Sequence, residues 1–256
     1  MIVKHVKKNF VLLLLCVLFV VVNINAQKTI NFLSEDSVQI SADLYIQHTK
    51  SAPFIIFFHQ AGWSRGEYIE IAPWANQLGF NAMAVDQRSG NEVNKIKNQT
   101  KIDARKKGKG TKYLDAVPDI LAAIYYVKKN YPEAKIIIWG SSYSSALVLK
   151  IAGEYPDLVD GVLAFSPAEY YSRFGKPEDY ITQSAKKIQV PVFITSAQSE
   201  AAKWKTIFDN IPSKSKTSFV PTGKGNHGSR ALWTSKTDHT EYRKAVKEFL
   251  LQNFIN

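Results

Sequence analysis

A chain of 256 residues with 45% hydrophobic and 12% aromatic content carries enough apolar material for a sizeable core, which excludes a disordered or fibrous protein. The net charge is +11, a balance suited to anionic substrates or acidic polymers. No nucleic-acid module and no ordered aromatic–basic pattern accompanies that charge, so nucleic acid is not an expected partner.

The N-terminus reads as a leader. Lys4, Lys7 and Lys8 precede an unbroken apolar run, Phe10 to Val22, and Ile24-Asn25-Ala26 offers a small-residue cleavage site before Gln27. This is the pattern of a secretory signal peptide, and the run is short for a membrane span. The expectation is a signal peptide over 1–26, one domain over 27–256, and a secreted or periplasmic protein with no stable membrane span after cleavage. The alternative is an uncleaved N-terminal anchor. Cys16, the only cysteine, lies inside the apolar run, so the domain is expected to hold together without disulfides.

In chain order, Lys28–Ser34 and Val38–Ile46 read as a hairpin around Glu35-Asp36-Ser37. Val38, Ile40, Ala42, Leu44 and Ile46 alternate with other residues at the period of a half-buried strand. Phe54–Phe58 is apolar on both faces, as a central strand must be. A helix is expected around Ile69–Leu78, a strand over Asn81–Val85, and a helix over Tyr113–Lys129 with Pro118 in its first turn. Between them, Gly90–Lys112 is lysine-rich and poor in apolar residues. It reads as a long basic loop, solvated or forming a rim for an anionic substrate. Strands follow at Ile136–Trp139, Gly161–Phe165, Val190–Thr195 and Ser218–Val220. Ser166–Lys187 has room only for a small helical cap. Tyr242, Ala245, Val246, Phe249 and Leu250 mark the last helix, with Asp238 and Glu241 as its expected caps. The alternation of strands and helices implies a mainly parallel sheet covered on both faces, with an antiparallel N-terminal hairpin.

The chemistry concentrates at Trp139-Gly140-Ser141-Ser142-Tyr143-Ser144-Ser145, where an apolar strand meets a helical pattern. Ser142 has Gly140 two positions upstream. Ser144 is the second choice, since Ser142 would occupy its upstream slot, which is less permissive than glycine. This Gly-x-Ser-x-Ser resembles the Gly-x-Ser-x-Gly nucleophile elbow of the α/β-hydrolases. The compact layout resembles the dienelactone hydrolase-like proteins and related serine esterases within that superfamily, over nearly all of residues 28–256. Those dienelactone enzymes carry cysteine at the elbow. Serine here favours an esterase.

The resemblance implies the chain order Ser, acid, His. His227, in the glycine-rich stretch Thr222–Gly228, is the expected base, and His239 reads as a helix-start residue. Glu200, after the strand ending at Thr195, is the expected acid, with Asp209 the fallback. The amide of Tyr143 is one expected oxyanion donor. The segment His59-Gln60-Ala61-Gly62 resembles the family's His-Gly-x-x-Gly loop, which makes the Gln60 amide the second and His59 a loop-shaping residue. Trp63, Tyr170 and Tyr171 are candidate substrate contacts, and Trp63, Trp204 and Trp233 are candidates for stacking on a sugar. The expected activity is a carboxylesterase with a Ser142-His227-Glu200 triad and an acyl-enzyme intermediate, acting without metal or cofactor on a small-molecule or acylated-carbohydrate ester. The alternatives are a peptidase or thioesterase on the same triad, or a non-catalytic binding protein on a hydrolase scaffold. Oligomeric state is not legible.

Overall fold

The computed structural model describes residues 27–255; the expected leader and Cys16 lie outside them. Strands β1 (Lys28–Leu33) and β2 (Gln39–Tyr45) form an antiparallel hairpin. It closes through a turn in which the Ser34 amide donates to the Val38 carbonyl at 2.9 Å. There follow β3 (Phe54–Phe58), helix α1 (Ile71–Gln77), β4 (Asn81–Val85), a small ribbon of β5 (Glu92–Val93) and β6 (Ile96–Lys97), α2 (Gln99–Lys106) and α3 (Val117–Asn130). Then come β7 (Ile136–Ser141), α4 (Tyr143–Glu154), β8 (Gly161–Phe165), α5 (Tyr180–Ala185), β9 (Val192–Thr195), α6 (Ala201–Asp209), β10 (Lys216–Phe219) and α7 (His239–Phe254).

The eight-stranded sheet runs β1-β2-β4-β3-β7-β8-β9-β10. Only the contacts of β2 with β1 and β4 are antiparallel. Side chains of a strand alternate between faces, and both faces here are covered, which is why the central strands are apolar throughout. Phe54, Ile56 and Phe58 pack with Ile120 and Ile124 of α3 and Leu147 of α4. Ile55 and Phe57 face the other way, onto Ile71 and Ala75 of α1 and Val246 and Leu250 of α7. Each fully buried side chain of this size contributes about 1.5–3 kcal/mol.

The 90–112 segment is more ordered than its composition suggests. Apart from the ribbon it holds helix α2, whose Ala104 is buried. Polar bonds fasten α2 to β2: the Ser41 amide donates to Thr100 Oγ1 at 2.9 Å, and the Gln39 amide to Asp103 Oδ2 at 2.7 Å. Arg88, just after β4, joins three elements. Its Nη2 donates to Asp119 Oδ1 of α3 at 2.6 Å, and its Nη1 to Asp36 Oδ2 of the hairpin turn at 2.7 Å. The expected caps of α7 serve elsewhere, because Asp238 makes no side-chain cap bond.

Register decides where the chemistry gathers. Phe58 pairs with Gly140, Ser141 with Phe165, and Phe165 with Thr195. The strands therefore end in one row, and the segments leaving β3, β7, β8, β9 and β10 emerge along the same carboxyl edge. In open α/β sheets this is where ligands bind. Among the described residues no helix is long and apolar enough to cross a membrane.

Candidate active site

Ser142 sits between β7 and α4 with φ 58° and ψ −122°. Backbone this unusual for a non-glycine residue costs on the order of 1–3 kcal/mol and persists only where its surroundings impose it. They do so here. The Ser142 amide donates to the Phe165 carbonyl at 2.8 Å. A Cβ added at Gly140 would lie 2.5 Å from the Ser144 carbonyl oxygen and the Ser145 nitrogen, so only glycine admits the turn. The neighbouring serines are bonded inward. Ser144 Oγ donates to the Phe58 carbonyl at 2.7 Å, and Ser141 Oγ to Glu67 Oε1 at 2.7 Å. Both are fully buried, which leaves Ser142 as the serine of the turn that is partly exposed.

Glu200 closes the short turn after β9, and His227 lies beyond β10. His227 Nδ1 donates to Glu200 Oε1 at 2.6 Å, and Nε2, on the far side of the ring, makes no hydrogen bond among the described residues. Burial alone would push the Glu200 carboxyl up, but hydrogen bonds from His227 and Ser166 outweigh it and hold the group below the usual carboxylate range. Ser166 knots the site together. Its Oγ donates to Glu200 Oε2 at 2.8 Å and accepts the Gly228 amide at 2.9 Å.

The segment bearing His227 is clipped to α7. Asp238 Oδ2 accepts the Gly225 amide at 3.0 Å, Glu241 Oε2 accepts the Thr222 amide at 3.2 Å, and the Tyr242 hydroxyl accepts the Asn226 amide at 3.3 Å. The two carboxylates expected to cap the helix thus hold the histidine segment instead. His239 lies apart, its Nδ1 bonded to the Lys236 carbonyl at 2.7 Å. Asp209 pairs with Lys205 on the surface.

The segment after β3 corrects one expectation. The Gln60 amide donates to Glu67 Oε2 at 2.8 Å. That N–H is already committed, so Gln60 is not the second oxyanion donor. The Ala61 amide, one residue on, donates to no protein acceptor among the described residues. Tyr143 N stands at the first helical position, where no intrahelical acceptor exists. His59 is fully buried, with Nδ1 bonded to the Gln60 carbonyl at 2.8 Å and Nε2 accepting the Gln87 amide at 2.9 Å. Burial holds its imidazole down to about 4, so it is neutral and shapes the loop.

The aromatic candidates separate. The Tyr170 hydroxyl donates to the Ser166 carbonyl at 2.6 Å and neighbours the Ser142 side chain, and burial pushes it up to about 12. Tyr171 points inward instead. It is fully buried, and its hydroxyl donates to the Tyr143 carbonyl at 2.6 Å, so it contacts no substrate. Trp63 stacks on Trp233 with centroids 5.3 Å apart and planes 9° apart, and the Arg230 guanidinium lies 5.8 Å from its centroid. Trp204 is buried, its Nε1 on Ser196 Oγ. Trp204 is thus closed to a sugar, while Trp63 and Trp233 each give one face to the other. Sequence reasoning passed over Ser166 and Glu67, which no motif marks, and gave Ser141 no role of its own within the elbow. Among the described residues no group of three His, Cys, Asp or Glu side chains has the arrangement of a metal site.

A strained serine between strand and helix, with an acid–imidazole pair at the same edge of a mainly parallel sheet, defines an α/β-hydrolase. Residues 49–177 match the family described as serine aminopeptidase, S33 (Hydrolase_4), and the chain belongs to it, a serine hydrolase. Solved structures share the fold. The esterase Pf2001 of Pyrococcus furiosus superposes with TM-score 0.70 at 19% identity, over 90% of this chain and 93% of that one. A dienelactone hydrolase from Anabaena variabilis gives TM-score 0.69 at 15% identity, over 90% and 98%. Est1E of Butyrivibrio proteoclasticus, solved with ferulic acid bound, gives TM-score 0.66 at 15% identity, over 89% and 100%. A comparison with curated proteins finds no match.

Proposed function

We propose that this protein is a carboxylesterase that cleaves small-molecule esters through an acyl-enzyme on Ser142. The observation that carries the reading is the 2.6 Å bond from His227 Nδ1 to Glu200, at the same sheet edge as the strained elbow with its one partly exposed serine. A serine hydroxyl attacks a carbonyl only if a base takes its proton. With Nδ1 donating to Glu200, His227 presents Nε2 as that base. It then returns the proton to the departing alcohol, while Glu200 stabilises the imidazolium. The oxyanion of the tetrahedral intermediate is received by the amides of Tyr143 and Ala61, and losing one such donor typically costs about 10²–10³ in kcat. Water repeats the sequence on the acyl-enzyme.

The family description raises an aminopeptidase as the second reading. Recognising a free α-amino group calls for an uncommitted carboxylate beside the nucleophile. The carboxylates of the surrounding segments are engaged: Glu200 by His227 and Ser166, Glu67 by Gln60 and Ser141, and Glu169 by the Ile181 and Thr182 amides. This favours the ester. Residues 1–26 act as a cleaved leader that delivers the protein to an extracytoplasmic compartment. N-terminal sequencing of the exported protein is expected to begin at Gln27, and a chain retaining Met1 would refute cleavage.

The direct test is fluorophosphonate labelling with peptide mapping, beside turnover of p-nitrophenyl butyrate and an aminoacyl anilide. A single adduct on Ser142, absent in Ser142→Ala and His227→Ala, with ester turnover exceeding anilide turnover, is expected. Labelling elsewhere, or none, would overturn the proposal. Anilide turnover exceeding ester turnover would support the aminopeptidase.

A further inference from the structure

We infer that Glu67 is a positioning residue that holds the three catalytic segments in mutual register, an inference that rests on the serine-hydrolase reading of Ser142 and His227. Glu67 lies in the short turn Arg65–Tyr68 and is fully buried. Both its oxygens are used. Oε2 accepts the Gln60 amide at 2.8 Å, and Oε1 accepts the Ser141 hydroxyl at 2.7 Å. Ser141 Oγ in turn accepts the Ser229 amide at 2.9 Å. Each anchored residue stands one or two positions from a working group: Gln60 beside Ala61, Ser141 beside Ser142, and Ser229 two after His227. One carboxylate, through three bonds, therefore spans the oxyanion segment, the elbow and the histidine segment.

The same turn grips these segments again. The Trp233 Nε1 donates to the Glu67 carbonyl at 2.9 Å, and the Tyr68 hydroxyl donates to the Phe58 carbonyl at 2.7 Å while lying 3.3 Å from Ser229 Oγ. The segments also pack closely there. A Cβ added at Gly228, which has φ +70°, would lie 2.5 Å from Ser141 Oγ.

The chemistry calls for a carboxylate. The Gln60 N–H and the Ser141 O–H are both donors converging on one side chain, and an ionised acid offers an acceptor oxygen to each. A glutamine offers one. Its NH₂ would face Ser141 Oγ, which already accepts the Ser229 amide, and the Ser141 proton would lose its acceptor. Burying an acid is costly, and burial pushes the Glu67 carboxyl up to about 7 despite bonds from Ser141 and Gln60 and the charge of Arg230. Fixing the Gln60 amide on Glu67 also leaves the next N–H, that of Ala61, free for the oxyanion.

The test compares Glu67→Gln, Glu67→Ala and Ser141→Ala with the wild type on p-nitrophenyl butyrate, together with backbone amide exchange read by NMR. Glu67→Gln is expected to lower kcat about tenfold and Glu67→Ala about a hundredfold, with KM within about twofold, since misplaced catalytic groups cost transition-state stabilisation rather than binding. Ser229 amide exchange should quicken by about tenfold or more in Glu67→Gln, where the amide NH₂ competes for Ser141 Oγ, and Gln60 exchange should quicken likewise only in Glu67→Ala, which leaves that N–H without an acceptor. In Ser141→Ala only Ser229 should quicken. Wild-type kcat in Glu67→Gln, or a loss confined to KM, overturns the inference while the esterase reading stands. A wild type that neither turns over ester nor takes the fluorophosphonate sinks the esterase reading instead. Unchanged exchange at Ser229 in Glu67→Gln then overturns the positioning role on its own. If Glu67→Ala fails to fold, Glu67→Gln and Ser141→Ala decide.

Discussion

Ser166→Ala removes one hydroxyl that does two tasks. Its donor bond to Glu200 Oε2 is 2.8 Å long and runs to a charged group, a kind of bond that contributes about 1.5–3 kcal/mol. Its acceptor bond satisfies the Gly228 amide at 2.9 Å, and a buried N–H left without a partner costs about 1–3 kcal/mol. The two terms share one site and do not add fully, so the expected destabilisation is about 3 kcal/mol. For a domain of this size that corresponds to a fall in Tm of about 6–12 °C. The hydroxyl also fixes the face of Glu200 that turns away from His227. Without it the carboxylate rotates, the imidazole loses its orientation, and kcat should fall about tenfold to a hundredfold. Differential scanning calorimetry and ester turnover at saturating substrate measure the two effects. A variant that melts within about 2 °C of the wild type with unchanged kcat would show that Glu200 is held by His227 alone, and the reasoning would fail.

Gly140→Ala places a methyl 2.5 Å from backbone of the elbow helix; it is expected to cost about 3 kcal/mol or more, seen as lost soluble yield or a lowered urea midpoint. Arg88→Met strips the cation from fully buried Asp119 and is expected to cost about 3–5 kcal/mol. Burial already raises the Asp119 carboxyl to about 6, with Arg88 restraining it, and losing Arg88 raises it further. The folded state then binds more protons than the unfolded one over a wider range, so the deficit should be larger near about pH 8 than near about pH 5 in urea titrations; a pH-independent deficit would refute this. Burial raises Glu67 from the ordinary 4.5 to about 7, so its contribution to stability falls as pH rises through that interval. In Glu67→Gln stability should decline less over it, by up to about 1.4 kcal/mol per pH unit, as read from parallel urea titrations. Tyr170→Phe removes the hydroxyl beside Ser142 but not the ring; kcat is expected to change more than Tm, and an unaltered kcat with p-nitrophenyl butyrate would remove Tyr170 from the site.

The architecture was legible because it follows from periodicity. Phe54–Phe58 had to be central since both its faces are apolar, and the alternation of Val38–Ile46 marked the hairpin. What escaped was whatever depends on partners distant in sequence. The Gln60 amide looked available because nothing in His59-Gln60-Ala61 reveals that the chain doubles back to bring Glu67 onto it. Tyr170 and Tyr171 are the same residue type side by side, and only the path of the backbone sends one toward Ser142 and the other into the core. Helix α2 was hidden by its weak apolar signal. Its hold on the sheet is largely polar, through Thr100 and Asp103 to amides of β2, and hydrophobic patterning carries no trace of such bonds. Asp238 and Glu241 kept the spacing of a capping pair yet turned toward Gly225 and Thr222, because unsatisfied loop amides compete with helix amides for the same carboxylates.

The Trp63–Trp233 stack joins the segment after β3 to the segment after His227, with rings 9° from parallel. Indoles this close couple electronically, so the pair is an intrinsic optical gauge of the spacing between these two segments. Its near-ultraviolet dichroism and emission report, without any label, whether those two segments part.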